Sequence, residues 1–191
     1  MLTGFYQSLA LLAVVVVFYA VDSWLIHRFD RLRSRGSSRS WSYTLMAWAA
    51  AGVLIVQPVF LPQLGVSTTA AWGLAMQGFG LAVICAALVL HWWARVTLRH
   101  YYGEREEVQP GQKLVVRGPY LYLRHPIYMS YFALAIGLVL IAPALTTAAA
   151  AVYAFVDFSS AAGREERLLA EQLPGYREYM RKVGRFFPKL G

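Results

Sequence analysis

Residue types able to hold a charged ligand or move a proton gather in two stretches of this chain. One runs from Lys113-Leu114-Val115 through Gly118-Pro119-Tyr120 to Arg124-His125-Pro126-Ile127-Tyr128. The other opens with Glu165-Glu166 and passes Tyr176 and Tyr179 to reach Arg185-Phe186-Phe187-Pro188. Gly118-Pro119 predicts a turn, and Pro126 predicts a second break where an apolar run begins, so His125 and Tyr128 fall at a membrane boundary. An Arg and a His placed there either serve a site or act as snorkelling anchors. Glu165 and Glu166 are open to the same two readings: adjacent carboxylates receive a cationic group, or they favour the first turn of a helix through its dipole.

The elements that must position these residues are apolar. Of 191 residues, 58% are hydrophobic and 15% charged, a balance that points to a membrane protein. The only charge between Met1 and Ile26 is Asp22, there is none between Ser40 and Ala94, and only Asp157 lies between Pro126 and Gly163. A helix crosses the hydrocarbon core in roughly 20 residues. Pro58, Pro62 and Gly65 divide the second stretch and Pro143 divides the third. The expectation is an all-α membrane protein, a single domain over 1–191, with five transmembrane helices near 3–26, 41–61, 70–93, 127–142 and 144–162. From Gly163 the tail reads as a C-terminal amphipathic helix at the membrane surface, broken at Pro174-Gly175.

All 18 Lys and Arg residues fall in three segments, 28–39, 95–124 and 164–189. The positive-inside rule makes these cytoplasmic, with the N-terminus and the turns near Pro62 and Pro143 outside. The net charge of +8 therefore flanks membrane ends, and nucleic acid is not expected as a partner. Met1 to Ala20 carries no charge, unlike a cleavable signal, so the first helix is expected to be retained. The lone Cys85 forms no internal disulfide, there is no Cys cluster for zinc, and no metal is expected. Trp24, Trp41, Trp92 and Trp93 read as an interfacial belt.

The pattern GPY-x4-HP-x-Y after Lys113-Leu114-Val115, followed two helices later by Glu165-Glu166, Tyr176, Tyr179 and Arg185-Phe186-Phe187-Pro188, resembles the isoprenylcysteine carboxyl methyltransferase family. The resemblance covers about residues 95–189. It implies S-adenosyl-L-methionine as methyl donor, held in a non-Rossmann pocket between the last cytoplasmic loop and the C-terminal helix. The sequence has no GxGxxG. The implied donor contacts are Gln112, Lys113, Leu114, Val115, Tyr120, His125, Pro126, Ile127, Tyr128 and Glu165. In that pocket Glu165 would accept from the donor's ammonium, Arg124 or loop N–H groups would meet its carboxylate, and Tyr120 and Tyr128 would offer cation–π faces. His125, Glu165 and Glu166 are the implied catalytic residues, His125 or Glu166 acting as base where the acceptor is a phenol or amine.

The implied acceptor is a lipophilic or prenylated molecule reaching the site from the bilayer, O-methylated on a carboxyl or hydroxyl. Members that methylate prenylcysteine carry an Arg one turn before the matched glutamate, where this chain has Ala161. That departure leaves phenolic, quinol and pyrone lipids open as acceptors. Asp157 costs roughly 2.5–3.5 kcal/mol at a helix centre, so it should face the acceptor cavity or pair near His91, Trp92 or Arg95. Asp22 is expected to snorkel or to pair with Arg28. The alternatives are an NADPH-dependent reductase related to sterol reductases, a phospholipid N-methyltransferase, and a non-catalytic scaffold or transporter; the chain has no internal repeat of the kind transporters use.

Overall fold

The computed structural model describes residues 2–29, 41–66, 69–99 and 113–189, without the side chains of 26 and 41–50. Gln112, most of the first basic loop and the Trp41 side chain lie outside the described residues. Among the described residues six α-helices follow one another: α1 (Phe5–Phe29), α2 (Trp41–Phe60), α3 (Ala70–Leu98), α4 (Pro126–Ile141), α5 (Leu145–Gln172) and α6 (Tyr176–Lys182). The first five coincide with the five apolar stretches of the sequence. Among the described residues α1, α3 and α5 are long and apolar enough to cross a membrane, and Ala51–Phe60 and α4 are shorter apolar helices. The protein is an all-α membrane protein.

Local chemistry sets the helix ends. Pro126 opens α4 at the one position where a missing N–H costs nothing, and Pro143 stops the chain from continuing past Ala142. In the resulting hairpin the Thr147 hydroxyl accepts the Ala144 N–H at 3.1 Å and donates to Ala142 O at 2.8 Å, so these backbone groups of the turn are satisfied by a buried side chain. The turn after α2 meets this hairpin, Val66 N–H donating to Pro143 O at 2.8 Å. The two proline turns thus share one end of the bundle, opposite the end that carries Arg95, Arg124 and Arg185.

The tail differs from the sequence expectation. No separate surface helix starts near Gly163; α5 runs unbroken from the bilayer-length stretch to Gln172 and ends only at Leu173-Pro174-Gly175. One Gly costs a helix about 1 kcal/mol, and the surrounding Ala, Arg, Glu and Leu favour continuing it, whereas Pro174 cannot be accommodated. Glu165 and Glu166 therefore lie between about five and six turns into a helix, too far from its N-terminus for the dipole to account for them.

The tightest helix contact is between α3 and α4. A Cβ at Gly137 would meet Gly80 O at 2.9 Å as well as the Ile84 side chain, and a Cβ at Gly80 would meet Gly137 O at 3.0 Å. Small residues here let two backbones approach, the usual source of helix association in lipid. Gly137→Val is expected to lose about 1–3 kcal/mol through overpacking. Thermal unfolding in detergent checks this; an unchanged midpoint would contradict the close-contact reading.

Candidate active site

The two chemistry-bearing stretches meet at the basic end of the bundle. Gly118 takes a left-handed conformation (φ +57°) so close to α3 that a Cβ would lie 2.7 Å from the Thr97 hydroxyl; only glycine suits this turn. Pro119 and Tyr120 are then buried, and Tyr120 and Ile127 pack on Ala94 of α3 with Val115 against them. Leu114, one residue earlier, packs instead on Leu173, Tyr176, Tyr179 and Val183. Residues 113–115 therefore bridge the α3–α4 floor and the α6 wall, while Lys113 itself is exposed.

The chain after α6 closes the arrangement. Arg124 N–H donates to Gly184 O at 2.8 Å and His125 N–H to Arg185 O at 3.1 Å, so the C-terminal strap lies along the turn that precedes α4. Tyr179 reinforces it, donating its hydroxyl to Tyr120 O at 2.6 Å. Burial pushes the Tyr179 phenol up to about 12, which keeps it a hydrogen-bond donor.

Glu166 is the hub. It is 2% exposed and accepts from Arg124 Nε at 2.8 Å, His125 Nε2 at 3.2 Å and Arg185 Nε at 3.0 Å, with Arg185 Nη2 on the same oxygen. This glutamate stands beyond the apolar part of α5. Burial opposes its ionisation, but hydrogen bonds from His125, Arg185 and Arg124 outweigh it and hold the carboxyl at about 2. A carboxylate so weakly basic, with both oxygens engaged, is a counter-ion. Glu166 is removed from the candidate bases for that reason. Arg124 is likewise occupied: besides Glu166 it donates from Nη1 to Met180 O at 2.9 Å and Val183 O at 2.6 Å, and it is mostly enclosed. It ties α6 and the strap to α5.

Glu165 faces the other way. Its side chain is 36% exposed, accepts from the Tyr128 hydroxyl at 3.2 Å and lies 3.7 Å from His125 Nδ1. His125 stacks on Tyr128 with ring centres 5.4 Å apart, Tyr128 stacks on Phe158 at 5.5 Å, and Phe158 on Tyr131 at 4.9 Å. The result is a carboxylate at the edge of a column of rings. Pro126 and Ile127 are buried beneath it.

Asp157 and Ala161 are partly buried on α5, and it is Phe158, one heptad before Glu165, that the ring column uses. The expected pairing of Asp157 with His91 or Arg95 is corrected: both take Asp22 on α1, at 3.0 and 2.8 Å. This also replaces the expected Asp22–Arg28 pair; Arg28 lies over the Phe29 ring instead. Trp24 and Trp92 stack on each other, both exposed. Sequence reasoning passed over Gly184 and gave no role to Arg185 or Phe158. The Gly-Arg before two Phe was the available signal.

Residues 80–171 match the family model for isoprenylcysteine carboxyl methyltransferase (ICMT). Over those residues, just under half of the chain, the sequence is similar to the ICMT family. The match begins in α3 and ends on α5, so it contains the Gly118 turn, the start of α4 and both glutamates. The fold is similar to that of the eukaryotic intramembrane Ras methyltransferase ICMT, with a TM-score of 0.71 and 24% identity over 94% of this chain and 65% of that one. Among curated proteins the chain is 37% identical over 79 residues to the nickel-cobalt-cadmium resistance protein NccN of Alcaligenes xylosoxydans xylosoxydans, covering 41% of this chain and 37% of that protein. It is 37% identical over 78 residues to the cobalt-zinc-cadmium resistance protein CzcN of Cupriavidus metallidurans, covering 40% and 36%. The uncharacterized protein YpbQ of Bacillus subtilis is 38% identical over 47 residues, 25% of this chain and 28% of that one. The chain thus matches between 28% and 37% of the length of these curated relatives.

Proposed function

We propose that this protein is a membrane methyltransferase of the ICMT family that takes S-adenosyl-L-methionine at the cytoplasmic end of the bundle and methylates a lipophilic acceptor arriving from the bilayer. The N-terminus and the two proline turns would lie outside. The observation that carries the reading is the meeting of Glu165, Tyr128 and His125 beside the 113–128 segment, within the family region.

The residues present fit the donor. Glu165 is an accessible carboxylate for an ammonium, and the stacked His125 and Tyr128 give flat faces for an aromatic ring or a cation. When bound, S-adenosylmethionine supplies a methyl group made electrophilic by its sulfonium sulfur. The chain's own part is alignment and exclusion of water. Tyr128 orients the Glu165 carboxylate, and the strap and α6 cover the turn from the side away from α3. Because ionised Glu166 only accepts, His125 carries a proton on Nε2, and its Nδ1, facing Glu165, is the nitrogen that would take the proton of a hydroxyl acceptor when the ring is neutral. A carboxylate acceptor is already ionised and needs no such help. Among the described residues no group of three or more His, Cys, Asp and Glu is placed to hold a metal ion, and no metal role is proposed.

Titration of the purified protein with S-adenosylmethionine in detergent tests the donor site. Saturable binding is expected, weakened roughly tenfold or more, at least about 1.4 kcal/mol, in Glu165→Ala and in His125→Ala. Undiminished binding in both would refute the assignment, and preferential binding of NADPH would support a reductase instead.

A further inference from the structure

Below the site lies a polar cluster that the proposed chemistry does not use. His91 of α3 is fully buried; its Nε2 faces Asp22 Oδ1 of α1 at 3.0 Å and its Nδ1 faces Ser130 Oγ of α4 at 3.0 Å. Arg95, one turn further along α3 and 3% exposed, donates to the same Asp22 oxygen at 2.8 Å. Ser130, also fully buried, donates to Ile127 O at 2.6 Å. The order Asp–His–Ser is that of a nucleophilic triad, but an enclosed Ser130 with its proton on a helix carbonyl gives no access to an acyl group. Burying such groups in an apolar bundle costs several kcal/mol per ion before pairing, so the cluster calls for another explanation.

What it touches supplies one. The Ile127 carbonyl belongs to the first turn of α4, the turn that carries Pro126, Ile127 and Tyr128 immediately after His125. A second route runs through rings: His91 lies 5.4 Å from Tyr131, Tyr131 stacks on Phe158, and Phe158 stacks on Tyr128, which holds Glu165. Phe18 of α1 closes the other side, 4.8 Å from His91 and 5.7 Å from Tyr131. Both routes begin at His91 and end at Tyr128.

We propose that His91, held by Asp22 and Arg95 and acting through Ser130 and Tyr131, is a positioning residue that sets the first turn of α4 and so fixes Tyr128 beside Glu165. The importance of that placement for donor binding rests on the function proposed above; the placement itself does not. The cluster also gives the first helix a purpose, since α1 supplies Asp22 to His91 and Arg95 of α3.

The test places 3-fluorotyrosine at position 128 and reads its 19F resonance in detergent, alongside S-adenosylmethionine titration and thermal unfolding. Ser130→Ala and His91→Gln, on different helices, are expected to move the resonance in the same direction and to weaken donor binding about three- to tenfold. Ser130→Ala removes one hydroxyl and is the variant that keeps the test readable if His91→Gln fails to fold. An unmoved resonance in Ser130→Ala, with only a lowered melting temperature, would overturn the proposal and leave the cluster a mere helix tie. If the parent protein binds no S-adenosylmethionine, the donor reading fails, while a moved resonance still establishes the clamp.

Discussion

Glu166→Gln is expected to cost about 3–5 kcal/mol of stability and to abolish donor binding with it, although residue 166 is not expected to touch the donor. The amide keeps the shape of the side chain and removes the charge that Arg124, Arg185 and His125 share. Arg124 is 8% exposed and would be left without its counter-ion, whereas Arg185, at 41%, is partly relieved by water and accounts for less of the loss. The effect depends on pH in a fixed direction. The Glu166 carboxyl is lowered from an ordinary 4.5 to about 2, so its stabilisation is complete above about 4.5 and is lost as pH falls through about 2. Unfolding curves of parent and variant should therefore lie far apart at neutral pH and converge between about pH 4.5 and 2. A constant separation across that window would contradict the role of the charge.

Gly184→Ala should detach the strap. A Cβ at this position would run into the Phe187 carbonyl oxygen, a backbone atom that cannot swing away, with Lys189 N a further 3.1 Å contact. Relief of that clash requires the strap to open, which breaks the bonds from Arg124 N–H to Gly184 O and from His125 N–H to Arg185 O and withdraws Arg185 from Glu166. With a net value of about 1 kcal/mol for each neutral bond and more for the charged one, a loss of roughly 3 kcal/mol is expected. Donor affinity should fall more than tenfold. Proteolysis gives a second measure, since cleavage after Arg185 or Lys189 should become fast in the variant while the helices stay intact. Equal cleavage rates in parent and variant would show that the strap tolerates the substitution.

Much of this architecture is legible in the sequence because charge is sorted so strictly. Runs with one charge or none mark the starts of α1 to α5 within a few residues, although α3 and α5 run on past the expected ends, and Pro143 alone locates the α4–α5 hairpin. The site was legible as two motifs, Gly118-Pro119-Tyr120 to Tyr128 and Glu165-Glu166, and the fold brings both together. What the motifs do not reveal is the division of labour between neighbours. Glu165 and Glu166 are one residue apart, yet about 100° of helix turn directs one to the ring column and the other into a cage of two Arg and a His. Arg124, beside His125, is likewise drawn away by α6 and the strap. The partners of Asp22 could not be read from one dimension either, because they lie some 70 residues away on α3. A sequence shows that a charge is buried before it shows which charge answers it. The unbroken α5 is a subtler case: Gly163 and a change to charged residues suggested an end, but neither is strong enough to stop a helix that Pro174 terminates later.

Methyl transfer to a lipophilic acceptor is measured most directly by incubating the pure protein with methyl-labelled S-adenosylmethionine and a total lipid extract, followed by mass spectrometry of the labelled product. A labelled, membrane-extractable species carrying one added methyl on oxygen is expected from the parent and is expected to be absent with Glu165→Ala. Saturable donor binding with no labelled lipid from any extract, or label appearing equally with Glu165→Ala, would contradict it.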